Sequence, residues 1–265
     1  MRFTDTLATR VCFEDRGSGP ALLLVHGHPF DHTMWQPQID RFSLTHRVIA
    51  PDLRGYGITP LGATTGSTGL GDFAEDLVGL LDALGVEECV LAGLSMGGQI
   101  AMELVRRHPE RVRGLVLADT FPAAETDEGR TARNAMADRL LDEGMRGYAD
   151  EVLDRMVAPY NAHAAPHVHR MMCATDPVAA AAALRGRAER PDYRATLAAL
   201  AVPALVVVGR DDTYTPVADA EEMHALIPRS TLTVIDRAAH LPNLERPEEF
   251  DAALDAFLRS LVRPS

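Results

Sequence analysis

The hexapeptide Gly93-Leu94-Ser95-Met96-Gly97-Gly98 carries the sharpest chemical signal in the chain. It follows an apolar run at 89–92 and leads into a helical pattern at 96–107, the strand–turn–helix setting that a G-x-S-x-G nucleophile elbow requires. Such a turn forces unusual backbone angles on the serine and crowds its neighbours, which is why glycines flank it. A serine hydroxyl is a poor nucleophile near neutral pH unless a base takes its proton. Among ten histidines, His240 stands where that base is needed: on a loop after the last apolar run, 231–235, and just before a helix starting near Pro247. His108 sits at a helix end, where a cation complements the dipole, and His46 and His224 read as surface positions. His163, His167 and His169 lack the three- or four-residue repeat with carboxylates that a metal site would show. The base in turn needs a carboxylate to fix its tautomer. Three candidates end the preceding apolar runs: Asp211 and Asp212 after 204–208, and Asp119 after 115–118.

These side chains can meet only if the intervening elements bring them together. Short apolar runs at 11–15, 21–25, 47–50, 89–92, 115–118, 204–208 and 231–235 alternate with helical patterns, the signature of a largely parallel sheet covered on both faces. Helical periodicity is clear at 72–84, where Phe73, Leu77, Leu80, Leu81 and Leu84 share a face, and recurs at 96–107, 217–226 and 247–261. Residues 121–199 break the rhythm. They hold many alanines, helical patterns at 132–141 and 148–156, and five of the ten methionines, either around a ligand or as ordinary helix core. The expected organisation is a core of residues 1–120 and 200–265 with an all-helical cap, 121–199, inserted in it. The Gly/Thr-rich stretch 60–71 reads as a surface loop.

Composition narrows the function classes. Apolar residues are 46% of the 265 and charged residues 24%, which excludes a disordered, collagenous or coiled-coil chain. The formal net charge of −12 disfavours nucleic acid and membrane partners. All 26 basic residues are arginine, so neither Schiff-base lysine chemistry nor a P-loop is open to this chain. Cys12, Cys89 and Cys173 are odd in number and outside metal-ligand spacing, and read as free thiols of a reducing compartment, hence a cytoplasmic location. Cys89 is expected in the core, and Arg54 either against a carboxylate-bearing substrate or, as the favoured reading, in a surface ion pair. Nothing in the residues calls for a cofactor or metal.

Taken in order, His26-Gly27, Asp52-Leu53-Arg54-Gly55-Tyr56-Gly57, the elbow and His240 resemble the α/β-hydrolase superfamily over nearly the whole length. The resemblance implies that fold and a Ser–Asp–His order for the triad. Its G-x-x-D-x-x-x-P pattern, here Gly209 to Pro216, selects Asp212 over Asp211. It also implies an oxyanion hole made by the backbone N–H of Met96 and that of His28, in His26-Gly27-His28-Pro29, with Trp35 packed beneath the loop. Two such donors lower a barrier by on the order of several kcal/mol. Dehalogenases and most epoxide hydrolases of the superfamily use an aspartate where Ser95 stands, so the implied chemistry is acyl transfer to serine. Asp142-Glu143-Gly144-Met145, Ala174-Thr175-Asp176-Pro177 and Leu200-Ala201-Val202-Pro203-Ala204 resemble 3-oxoadipate enol-lactonases, whereas the His26 loop is similar to esterases and cofactor-free haloperoxidases. The implied substrate is a small-molecule carboxylic ester or lactone. A perhydrolase, a carbon–carbon bond hydrolase and a triad-bearing ligand receptor would use the same residues.

Overall fold

The apolar runs form one eight-stranded sheet in the computed structural model, which describes residues 1–5, 10–63 and 66–261. Its strands are β1 (Arg2–Asp5), β2 (Arg10–Arg16), β3 (Ala21–Val25), β4 (Arg47–Pro51), β5 (Cys89–Leu94), β6 (Val112–Ala118), β7 (Ala204–Gly209) and β8 (Ser230–Ile235). The spatial order is β1-β2-β4-β3-β5-β6-β7-β8, antiparallel as far as β4 and parallel from there on. The chain leaves β3 for β4 on one side and returns to β5 on the other. The crevice at the carboxyl ends of β3 and β5 is therefore the point where strand order reverses, the place where open α/β sheets hold ligands. Val25 is registered against Gly93, so the segments that follow β3 and β5 start side by side.

Both faces of the sheet are covered. Leu23, Val25, Leu91, Leu115, Leu117 and Val206 point to one face and meet α2 (Leu70–Ala83), α3 (Met96–Arg107) and α9 (Val217–Leu226). Leu22, Leu24, Val90, Val116, Leu205 and Val207 point to the other and meet α1 (Gln36–Phe42) and α11 (Pro247–Ser260), which follows the short α10 (Pro242–Glu245). Alternation puts successive strand side chains on opposite faces, so continuous apolar strands are what a doubly covered sheet demands. On α2, Phe73, Leu77, Leu80 and Leu81 are buried as their spacing predicts, each worth about 1.5–3 kcal/mol of burial. Cys12, Cys89 and Cys173 are free thiols, and Cys89 is core, its pKa pushed up to about 12 by burial.

Between β6 and β7 lie α4 (Asp127–Glu143), α5 (Met145–Met156), α6 (Ala165–Ala174), α7 (Pro177–Ala188) and α8 (Arg194–Ala198). Met156, Met171 and Met172 extend the cluster on the α1/α11 face, and α4 and α7 pack on one another through Ala137, Leu140, Ala180, Ala181 and Leu184. The methionines of this region that are buried thus serve as helix core. Along the stretch 60–71, Pro60, Gly62, Ala63 and Ser67 are exposed as a surface loop would be, but its end is anchored: Thr68 is buried, its N–H donates to Ala182 O at 2.9 Å, and α2 starts at Leu70. Gly186 permits this approach, since a Cβ there would lie 1.7 Å from Thr68 O. Thr64 and Thr65 of that stretch lie outside the described residues. Arg54 also departs from expectation: it pairs with Asp76 and both side chains are largely buried. No helix among the described residues is long and apolar enough to cross a membrane.

Candidate active site

Ser95 is the residue between β5 and α3, with φ 57° and ψ −117°, a region an L-residue enters only when its surroundings hold it there. Two glycines make the turn possible: a Cβ on Gly93 would lie 2.2 Å from Gly97 O, and one on Gly97 2.2 Å from Val25 O. The end of β6 pins the turn. Ser95 N–H donates to Ala118 O at 2.9 Å, and Thr120 Oγ1 donates to Ser95 O at 2.8 Å.

His240 follows β8 and lies 2.9 Å from Ser95 Oγ through Nε2 and 2.7 Å from Asp212 Oδ2 through Nδ1. Since an ionised carboxylate only accepts, Nδ1–H donates to Asp212 and Nε2 is left to accept the serine O–H. All three side chains are buried. Burial alone would raise the Asp212 carboxyl, but His240, the Thr215 hydroxyl and the Tyr214 N–H at 2.8 Å outweigh it and hold the group below the ordinary carboxylate range. The Tyr214 ring packs against the imidazole with centroids 5.2 Å apart, and the Arg155 guanidinium carbon lies over the Tyr214 ring, 3.9 Å from its centroid.

The three candidate acids separate. Asp212 meets the histidine. Asp211 is on the surface and accepts from the Tyr160 hydroxyl. Asp119 is buried, accepts from Gly209 N–H at 2.9 Å through Oδ1 and lies close to both Asp212 and His240, but among the described residues it makes no hydrogen bond to the imidazole. Burial first, and then the neighbouring Asp212 carboxylate, push Asp119 well above the ordinary range, so it keeps its proton.

His28 follows β3 and Met96 opens α3; neither backbone N–H donates a hydrogen bond among the described residues. The loop carrying His28 is fastened from beneath. His26 Nε2 accepts Leu53 N–H at 3.0 Å, and Asp52 accepts His32 N–H at 2.9 Å and His32 Nδ1–H at 2.7 Å. Trp35 is fully buried in the cluster on this face, its ring 5.9 Å from Phe250. The His28 side chain does more than pack: Nδ1 lies 2.7 Å from the Tyr56 hydroxyl.

Several residues of the site escaped motif reading. Glu245 is one: its buried carboxylate accepts from Ala239 N–H at 2.9 Å, Leu241 N–H at 3.2 Å, Ala158 N–H at 2.8 Å and Asn161 Nδ2–H at 2.8 Å. It thereby shapes the loop on either side of His240, and its place five residues after that histidine is the only sequence signal. Asp52 and Thr215 are others, both inside motifs quoted for different residues. The histidines His163, His167 and His169 are not brought together: His167 Nε2 lies 3.2 Å from Thr33 Oγ1, and His169 pairs with Asp150 at 2.7 Å. Two groups among the described residues place three ligand-type atoms within 4.8 Å of one another, Asp31–His32–Asp52 and Asp119–Asp212–His240. In each, a histidine–carboxylate hydrogen bond joins two of the three, His32 to Asp52 and His240 to Asp212.

A family profile described as Alpha/beta hydrolase family matches residues 22–253. The 3-oxoadipate enol-lactonase 1 of Acinetobacter baylyi is 30% identical over 250 residues, which is 92% of this chain and 90% of that protein. A thermophilic esterase from Thermogutta terrifontis, in a structure described as malate bound, superposes with a TM-score of 0.95 at 35% identity and covers 98% of this chain and 99% of that one. The enol-lactonase from Burkholderia xenovorans LB400 superposes with a TM-score of 0.89 at 26% identity, over 97% of this chain and 100% of that one.

Proposed function

Since the chain belongs to the alpha/beta hydrolase family, we propose that it is a carboxylic ester hydrolase acting on a small-molecule ester or lactone, with Ser95, His240 and Asp212 as its catalytic triad. One observation carries the reading: a single imidazole bridges the strained serine at 2.9 Å and a buried, ionised carboxylate at 2.7 Å. The esterase and enol-lactonase relatives support the substrate class.

Each step uses a group already in place. His240 Nε2 takes the Ser95 proton as Oγ attacks the carbonyl carbon, and Asp212 stabilises the imidazolium that forms. The N–H groups of Met96 and His28 stabilise the negative charge on the carbonyl oxygen. When the ester C–O bond breaks, His240 returns its proton to the leaving alkoxide and an acyl-serine remains; a lactone opens at this step and stays attached by its acyl end. Water then gives a proton to His240 and adds to the acyl carbon. Collapse frees the acid, and the proton goes back to Ser95 Oγ.

We read residues 121–199, holding α4 to α8, as a helical cap over this crevice. Contacts from that region support it: Thr175 Oγ1 donates to Pro29 O at 3.1 Å, and Ala158 and Asn161 donate to Glu245 beside His240.

A panel of p-nitrophenyl esters tests the mechanism. Hydrolysis by the wild type should fall by several orders of magnitude in Ser95→Ala while the circular dichroism spectrum is kept. Asp212→Asn should lose about 10⁴-fold, and Asp211→Asn should stay within a few-fold of wild type. Near-full turnover by Ser95→Ala would sink the mechanism.

A further inference from the structure

Arg187, near the end of α7, is a buried guanidinium without an acid. Its residue is 8% exposed, Nε donates to Gln99 Oε1 at 3.1 Å, and no carboxylate pairs with it among the described residues. The charged and titratable groups that bear on it most are Arg133 and Arg190, which repel it, and the hydroxyls of Tyr56 and Tyr148. Arg133 and Arg190 share one carboxylate, Glu125. Three guanidiniums therefore stand against a single acid. A charge buried in this way costs stability until an opposite charge arrives.

The location links this surplus to the proposed chemistry. Gln99, which holds Arg187, lies one turn into α3, and its N–H donates to Ser95 O at 3.2 Å. Arg187 also acts on His28, whose imidazole is kept neutral by burial first and then by Arg187 and Arg133. Tyr56, its hydroxyl held protonated by burial, occupies His28 Nδ1, while His28 Nε2 is buried and has no hydrogen-bond partner among the described residues. With Tyr56 O–H donating to Nδ1, Nε2 carries the proton and is a donor in want of an acceptor. A buried cation and a buried spare donor thus stand beside the loop proposed to hold the oxyanion.

Resting on the esterase reading above, we infer that Arg187 recognises a carboxylate carried by the substrate, so that the preferred substrate is an anion: the half-ester of a dicarboxylic acid, or a lactone bearing a free carboxylate. A planar guanidinium matches a carboxylate in two parallel hydrogen bonds, which fixes orientation as well as charge. The local cation also offsets the repulsion an anion meets on approaching a chain of net charge −12.

The test pairs binding with turnover. Glutarate is titrated calorimetrically into the wild type, Arg187→Met and Arg187→Gln at neutral pH in low chloride, with inorganic phosphate as the comparison anion. The same proteins are assayed on monomethyl glutarate and on its neutral isostere, methyl 5-methylhexanoate. The expected results are glutarate binding that weakens about 100-fold in both variants, and a half-ester to neutral-ester ratio of kcat/KM that favours the anion in wild type and drops about 100-fold. Without ligand, Arg187→Met should melt no lower than wild type, since it removes an uncompensated charge; a structural ion-pair residue would lower the melt. Ser95-dependent hydrolysis of both esters with no preference for the half-ester would overturn the inference and leave the esterase reading intact. Phosphate binding as tightly as glutarate, with no half-ester preference, would overturn it as well. Arg187-dependent glutarate binding with no ester hydrolysed would uphold the anion site and remove the esterase reading instead.

Discussion

Asp119 and Asp212 end neighbouring segments of the sheet, yet their surroundings treat them oppositely. Asp212 gathers donors and stays ionised; Asp119 has one N–H and a negative neighbour, and stays protonated. The sign of the resulting pH dependence follows. An acid whose pKa is raised in the fold keeps a proton that the unfolded chain loses above about pH 4, so stability falls as pH rises, by up to about 1.4 kcal/mol per unit. Asn at this position keeps the acceptor for Gly209 and supplies an N–H toward Asp212 without titrating. Asp119→Asn should therefore gain on wild type as pH rises above about 4 in denaturant melts, by up to about 1.4 kcal/mol per unit. Parallel stability profiles for the two proteins would mean that Asp119 ionises in the fold. The choice between Asp211 and Asp212 was not legible from spacing, since adjacent turn residues differ only in which one the turn aims inward. Here the Asp212 N–H to Gly209 O bond at 3.2 Å and the Tyr214 N–H settle the direction. Ser95 and His240 were legible because each sits where a strand end must place it.

Among the elements, β3, β5, β7, α3 and α9 are where periodicity puts them, because each has a face or faces committed to one large core. The misses have a different physical cause. Helix α7, PVAAAAALRGRA, shows no amphipathic period, since alanines pack on α4 from one side while Ala182 and Gly186 touch the 66–69 segment on another. β1 is an edge strand of four residues with only Thr4 half-buried, so it has no apolar run to read. The small residues of α7 are required by contact, and two glycine variants separate this from helix propensity. Gly186→Ala drives a Cβ into Thr68 O and should cost on the order of 3 kcal/mol. Gly147→Ala, in α5 with nothing within 4 Å of its Cβ, should stabilise by about 0.5–1 kcal/mol. Urea midpoints measure both, and equal shifts would remove the packing account.

At the scale of the molecule, the sheet and the helices of residues 121–199 differ in how they are held. β3, β5, β6 and β7 have neighbours on both edges and buried faces, whereas α4 buries only Ala137 and Leu140 along 17 residues. Native-state hydrogen exchange should find β5 and β6 opening only with global unfolding, and α4 exchanging at least about 100-fold faster through a smaller opening. Exchange of α4 in step with β5 would mean that 121–199 is not a separable cap. The helical run between β6 and β7 was legible as a break in strand rhythm; its fastening to the loop of His240 was not, because a carboxylate that accepts only N–H groups leaves no charge partner in the sequence. Glu245 takes two donors from the loop of His240 and two from residues 158 and 161. A chimera spliced at 121 and 199 whose new helices placed no donors where Ala158 N–H and Asn161 Nδ2–H stand would strand this acid with half its donors gone and the imidazole loop loosened. Exchanging pockets between members of this family therefore means transplanting the acceptor together with the helices, and a graft designed by sequence boundaries alone would arrive folded but slow.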